Sequence, residues 1–122
     1  MSKRILIIED SMYMRTLISD TLTTAGYEVV GQAANGEMGI DLALELEPDL
    51  ITLDNILPDM IGLDILKVIK SEENLKAKVL MISAVGQESV VQQGMALGAE
   101  DYILKPFTSD QVVAAVKKAL GE

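Results

Sequence analysis

The chain has 122 residues, 19 of them acidic and 10 basic, with a formal charge of −9; that length predicts one domain over residues 1–122, able to bury a core without disulfides or metals. Cysteine and histidine are both absent, which excludes a disulfide framework, a thiolate nucleophile, a Cys-type zinc site and imidazole acid–base chemistry, and leaves carboxylates, hydroxyls and lysines to carry any reaction. Basic residues cluster no further than pairs such as Lys3-Arg4 and Lys117-Lys118, so no nucleic-acid partner is expected, and a cation or a basic protein surface suits the charge better.

The first element is the run "RILIIE" from Arg4, a strand candidate too short for a signal sequence or a membrane span. A cytoplasmic location without membrane insertion follows as an expectation. Met14, Leu17, Ile18 and Leu22 then repeat at helical spacing up to Gly26, and "EVVGQA" from Glu28 reads as a second strand. Past Pro48, "DLITLD" from Asp49 is a third strand that ends on an aspartate; Gly62 and the Ile65, Leu66, Ile69 face mark the helix after it. "KVLMIS" from Lys78 is a fourth strand, followed by a helix over roughly residues 86 to 97 and a stop at Gly98. "DYILK" from Asp101 is the fifth, and Val112, Val113, Val116, Ala119 and Leu120 face one side of a last helix. The ending "VVAAVKKALGE" closes on glycine with no linker, as a free-standing and monomeric domain would.

Five strands alternating with helices predict an α/β fold, (βα)5, with a parallel sheet covered on both faces. In such doubly wound sheets the site lies beyond the carboxyl ends of the strands, where the winding reverses. The residues there are Glu9 and Asp10 after the first strand, Asp54 at the end of the third, Ser83 before Ala84, and Lys105 before Pro106. A strand order of 2-1-3-4-5 would place strands one and three side by side and gather three carboxylates. Bare, these repel one another; a hard divalent cation relieves the conflict, and Mg²⁺ takes a few carboxylates, a carbonyl and waters while leaving room for a phosphate oxygen. Asp54 then reads as a nucleophile beside a metal. Singly, each residue has a plainer reading: Asp10 as the N-cap of the first helix, Ser83 as a strand-end hydroxyl, Lys105 as a solvated lysine, Tyr102 as a half-buried ring. Their coincidence at one rim favours the site. Asp59 and Asp64 read as turn and helix-start residues, not ligands.

Four features in order carry a resemblance to a known family: "ED" at 9 and 10, "LDNILPDMIGLD" around Asp54, "ISA" at 82 to 84, and "DYILKPF" at 101 to 107, each at a strand end. Over its whole length the sequence resembles the receiver domains of bacterial two-component response regulators, in particular the single-domain chemotaxis CheY type. The resemblance supplies the flavodoxin-like order 2-1-3-4-5, which the spacing alone does not. It implies that Asp54 accepts a phosphoryl group, that Glu9, Asp10, Asp54 and the backbone carbonyl of Ile56 hold Mg²⁺, and that Ser83 and Lys105 bind phosphoryl oxygens. It implies a sensor histidine kinase as donor, since the chain has no histidine of its own, and an output face of helix four, strand five and helix five carrying Tyr102 and Leu104, directed at a flagellar motor switch protein.

Glu9 stands where many family members have Asp, so direct and water-mediated ligation are both open. Ile56 and Val85 are apolar where the family flanks the path of the hydrolytic water, which implies a gate, slow spontaneous dephosphorylation and a dedicated phosphatase. Three rivals are weighed beside this reading. A Mg²⁺-dependent aspartyl-phosphate phosphohydrolase needs a second acid two residues after its nucleophile, where Ile56 stands. A flavodoxin-like nucleotide binder needs a glycine-rich loop in place of "IIEDSMYM". A phosphorylation-independent interaction module that keeps the fold and has lost the switch is argued against by the intact acid triad and Lys105; the alternative output is that of a receiver in a transcriptional or enzyme-linked regulator, acting by regulated protein binding.

Overall fold

The computed structural model describes residues 2–84 and 88–122. Its elements are β1 (Arg4–Ile8), α1 (Met12–Thr24), β2 (Glu28–Ala33), α2 (Gly36–Leu46), β3 (Leu50–Asp54), α3 (Gly62–Ser71), β4 (Lys78–Ala84), α4 (Glu88–Ala96), β5 (Asp101–Lys105) and α5 (Ser109–Ala119). The five strands form one parallel sheet in the order β2-β1-β3-β4-β5. Strand composition explains this: β1 and β3 are flanked by strands and covered on both faces, and from Ile5 to Ile8 and from Leu50 to Asp54 every residue is buried. Runs of Ile and Leu tolerate that position because both faces of a central parallel strand are dry.

Side chains alternate across the sheet and divide the core in two. Leu6, Ile8, Ile51, Leu53, Val79 and Met81 pack with α2 and α3 residues such as Ala43, Ile65, Leu66 and Ile69. Ile5, Ile7, Leu50, Leu80 and Ile82 pack with Ile18 and Leu22 of α1 and Val112 and Val116 of α5. Each fully buried aliphatic side chain contributes about 1.5–3 kcal/mol, so the central strands are the best anchored part of the molecule. Thr52 interrupts them: its Oγ1 is buried and has no hydrogen-bond partner among the described residues. An unpaired buried hydroxyl costs about 1–3 kcal/mol. Thr52→Val should therefore raise the free energy of unfolding by about 1 kcal/mol in urea titration; a loss of stability would mean that the hydroxyl is paired.

The winding reverses between β1 and β3. From β1 the chain crosses to β2 on one side, then returns past β1 to β3 on the other, so the loops after β1 and β3 part and leave a crevice at the carboxyl edge. The buried polar side chains lie at or close to that edge: Glu9, Asp54, Asn55 and Ser83, with Thr52 one pleat below.

Candidate functional site

Strand β1 stops at Ile8, one residue short of the span read from sequence, and the chain turns through Glu9, Asp10 and Ser11 into α1. The N-cap of α1 is Ser11, not Asp10: Ser11 has extended backbone (φ −77°, ψ 119°) and its Oγ accepts from the Met14 N–H at 3.2 Å. This corrects the plainer reading of Asp10, whose exposed carboxylate is left over for the crevice. Glu9 is 1 % exposed. Its Oε1 accepts from Lys105 Nζ at 3.0 Å and its Oε2 from the Ser11 N–H at 3.3 Å.

Asp54 ends β3 and is held on the far side by β4, with the next residue's N–H, that of Asn55, donating to the Ile82 carbonyl at 3.2 Å. Asp54 Oδ1 accepts from the same Lys105 Nζ at 3.2 Å. Lys105 thus bridges two carboxylates from the end of β5. Partial burial pulls its ammonium down, but the Glu9 and Asp54 carboxylates outweigh that and hold its pKa above the ordinary value.

Carboxylate oxygens of Glu9, Asp10 and Asp54 lie within 4.8 Å of one another. The donor set is all oxygen, the β1–α1 turn and the end of β3 present it, and three acids share one small volume; this fits a hard divalent cation. Ser83 is fully buried near the end of β4, one residue past Ile82, the sheet partner of Asp54, and its Oγ has no hydrogen-bond partner among the described residues. A buried hydroxyl left free at this rim is available to an incoming acceptor.

The loop after β3 is a built structure. Leu57 N–H donates to the Met60 carbonyl at 3.2 Å, Ile56 pairs with Ile61 in an antiparallel bridge, and Gly62 N–H donates to the Asn55 carbonyl at 2.6 Å. Asp59 is a turn residue, as read from sequence, and does more: its two carboxylate oxygens accept from the N–H groups of Gly36 at 2.7 Å and Glu37 at 3.0 Å, joining this loop to the start of α2. Those backbone donors hold the Asp59 carboxyl below its usual range. Asp64 falls in the first turn of α3. Ile56 is 60 % exposed; Val85 lies outside the described residues. Tyr102 and Leu104 alternate outward along β5 and are both exposed. Helix α4 covers Glu88–Ala96, and residues 86 and 87 of the expected span lie outside the described residues.

Residues 5–117 match the family model of the response regulator receiver domain. The chain belongs to that family. Among its relatives, the chemotaxis protein CheY of Thermotoga maritima is 42 % identical over 119 residues, 97 % of this chain and 98 % of that one. The response regulator domain of CheB from the same organism superposes with a TM-score of 0.90 at 28 % identity, covering 100 % of this receiver domain and 98 % of the other. CheY of Borrelia burgdorferi, in a structure described as a CheX-CheY-BeF3-Mg²⁺ complex, gives 0.90 at 30 % identity over 95 % of this chain and 87 % of that one. Among the described residues of the receiver domain, no helix is long and apolar enough to cross a membrane.

The structure brings Glu9, Asp10, Asp54, Ser83 and Lys105 to one rim, as their strand-end positions implied. Sequence reading missed the contacts of Arg15, whose guanidinium meets the carbonyls of Glu9 and Asp10, and the reach of Asp59 to α2. Neither has a local signal, because backbone carbonyls and N–H groups are offered by every residue type.

Proposed function

We propose that this receiver domain, a single unit over residues 1–122, is a phosphorylation-activated response regulator of chemotaxis that accepts a phosphoryl group on Asp54. The observation that carries the reading is the set of groups gathered at that rim: Lys105 at 3.2 Å from the Asp54 carboxylate, two further acids within 4.8 Å, and the buried Ser83 hydroxyl, which has no hydrogen-bond partner among the described residues. In the reaction a carboxylate oxygen of Asp54 attacks phosphorus, the new O–P bond forms as the P–N bond of a phosphohistidine breaks, and the imidazole leaves with a proton from solvent. The carboxylate needs no general base, since it is ionised at neutral pH. The donor histidine belongs to a separate chemotaxis kinase, because this chain has none.

Glu9, Asp10, Asp54 and the Ile56 carbonyl would hold Mg²⁺, which when bound would neutralise charge on the phosphoryl oxygens. Lys105 passes from the carboxylates to one phosphoryl oxygen, and Ser83 Oγ–H donates to another. Both interactions form with the transferred group and not before it, which is the condition for driving the step and for storing its result. Movement of Ser83 and Lys105, at the ends of β4 and β5, reaches the face of α4, β5 and α5 with its exposed Tyr102 and Leu104, where a flagellar motor switch protein docks. The protein acts as a cytoplasmic monomer without nucleic acid, and a dedicated phosphatase removes the group; its own turnover is slow because the apolar Ile56 stands beside the path of the hydrolytic water.

The test is intact-mass measurement after incubation with acetyl phosphate. One added phosphoryl group in Mg²⁺, lost in EDTA and in Asp54→Asn, is the expected result; an adduct that survives Asp54→Asn overturns the assignment. Followed over time, the adduct should decay faster in Ile56→Asn, and an unchanged lifetime removes the gate.

A further inference from the structure

The β1–α1 turn carries two of the three acids, yet those acids are anchored very differently. Glu9 is held at every polar atom: its N–H donates to the Ala33 carbonyl at 2.9 Å, and both side-chain oxygens are engaged by Lys105 and Ser11. The exposed Asp10 has no such ties through its side chain among the described residues. What joins the two is Arg15, one turn into α1, whose Nη1 donates to the Glu9 carbonyl at 2.8 Å and to the Asp10 carbonyl at 3.0 Å.

Two consecutive carbonyls that meet one guanidinium nitrogen fix the turn between them. Consecutive peptide groups ordinarily point apart, so their convergence sets the backbone dihedrals at Asp10 and with them the direction of its Cα–Cβ bond. Charged donors make stronger bonds to carbonyls than neutral ones and keep the turn from relaxing under repulsion among three carboxylates. We infer that Arg15 is a positioning residue for the cation site: by clamping the carbonyls of Glu9 and Asp10 it aims the Asp10 carboxylate into the crevice. The inference rests on the metal reading above, and it concerns how this chain presents its acids.

Electrostatics makes the inference testable by sign. A guanidinium beside the acid pair repels a divalent cation, so removing it with no change in geometry would tighten metal binding. A positioning role predicts the reverse, because loss of a group that orients a ligand typically weakens metal affinity roughly 10- to 100-fold. A role in fold stability alone would shift unfolding and leave affinity to follow Coulomb's law.

The experiment is calorimetric titration of the metal-free protein with MgCl₂, for the natural sequence, Arg15→Met, Arg15→Gln and Arg15→Lys, with urea unfolding in EDTA to establish that each is folded. Arg15→Met and Arg15→Gln should bind Mg²⁺ roughly tenfold or more weakly, and Arg15→Lys, which keeps the charge and a donor, should recover most of that loss. Affinity that is unchanged or increased in the two neutral variants overturns the inference. If the natural sequence itself takes up no Mg²⁺, the metal reading fails first and the positioning role falls with it, an outcome visible before any variant is compared.

Discussion

Lys105→Met should lower the stability of the metal-free protein by about 2 kcal/mol, and Mg²⁺ should restore more stability to the variant than it adds to the natural sequence. Nζ of Lys105 is the cation that faces both Glu9 and Asp54, at 3.0 and 3.2 Å, and Glu9 is almost wholly buried. Removing one partner of a buried pair typically costs about 3–5 kcal/mol because the remaining charge is stranded; the lysine side chain here is 27 % exposed, so solvent relieves part of that. A divalent cation supplies the missing charge and binds only the folded state, so the variant gains more from it. The pH dependence has a definite sign. The folded-state pKa of Lys105 is raised, so its contribution is complete at neutral pH and below its unfolded value, and disappears as pH rises through the folded value. Urea curves of the two proteins should stay separated across the neutral range and converge in strong alkali. Equal stability at neutral pH in EDTA would show that the ion pairs hold nothing in place.

Gly62→Ala should cost about 3 kcal/mol and slow acceptance of phosphate by Asp54. Gly62 opens α3 with its backbone set directly against the end of β3: a Cβ there would lie 2.8 Å from the Asp54 carbonyl oxygen and 3.0 Å from the Asn55 Cα. Both neighbours are backbone, so no rotamer change relieves the contact. Either α3 retreats from the sheet, breaking the 2.6 Å bond from Gly62 N–H to the Asn55 carbonyl, or the Asp54 peptide turns and carries its carboxylate with it. The second route links a packing defect to the chemistry. Gly26→Ala is the control: Gly26 has φ +97° and no neighbour within 4 Å of a Cβ, so it should cost only about 1 kcal/mol of backbone strain and leave labelling by acetyl phosphate intact. Gly62→Ala with full stability and full labelling would refute the close approach.

How far the sequence could be read depends on what each residue type encodes. Strands β1 and β3 were legible because "ILII" and "LITL" have no polar face to turn outward, a pattern that only a central parallel strand accommodates. The rim residues were legible because a strand has a definite last residue, and Asp54, Ser83 and Lys105 are those residues or next to them. The start of α1 was not, since Asp10 and Ser11 are equally good caps and adjacent; backbone geometry settles it for Ser11, and so decides which of the two faces the crevice. The Lys105 bridge to Glu9 needed the fold as well, because the two residues are 96 apart in sequence. Arg15 and Asp59 were beyond reach for a different reason. Both bond to main-chain groups, which carry no mark of identity in the sequence, and the Asp59 partners lie 22 and 23 residues away.

That separation of Lys105 from its partners also bears on the order in which the molecule can be made. The ammonium closes loops of 96 residues to Glu9 and 51 to Asp54, and contacts of such span form late because chain entropy opposes them until nearer elements are in place. On a ribosome the acids that follow β1 and end β3 emerge long before the lysine that pairs with two of them. The nascent chain therefore carries these carboxylates without their lysine until the fifth strand docks, and arrival of that strand completes the hydrophobic sheet and both ion pairs in one event.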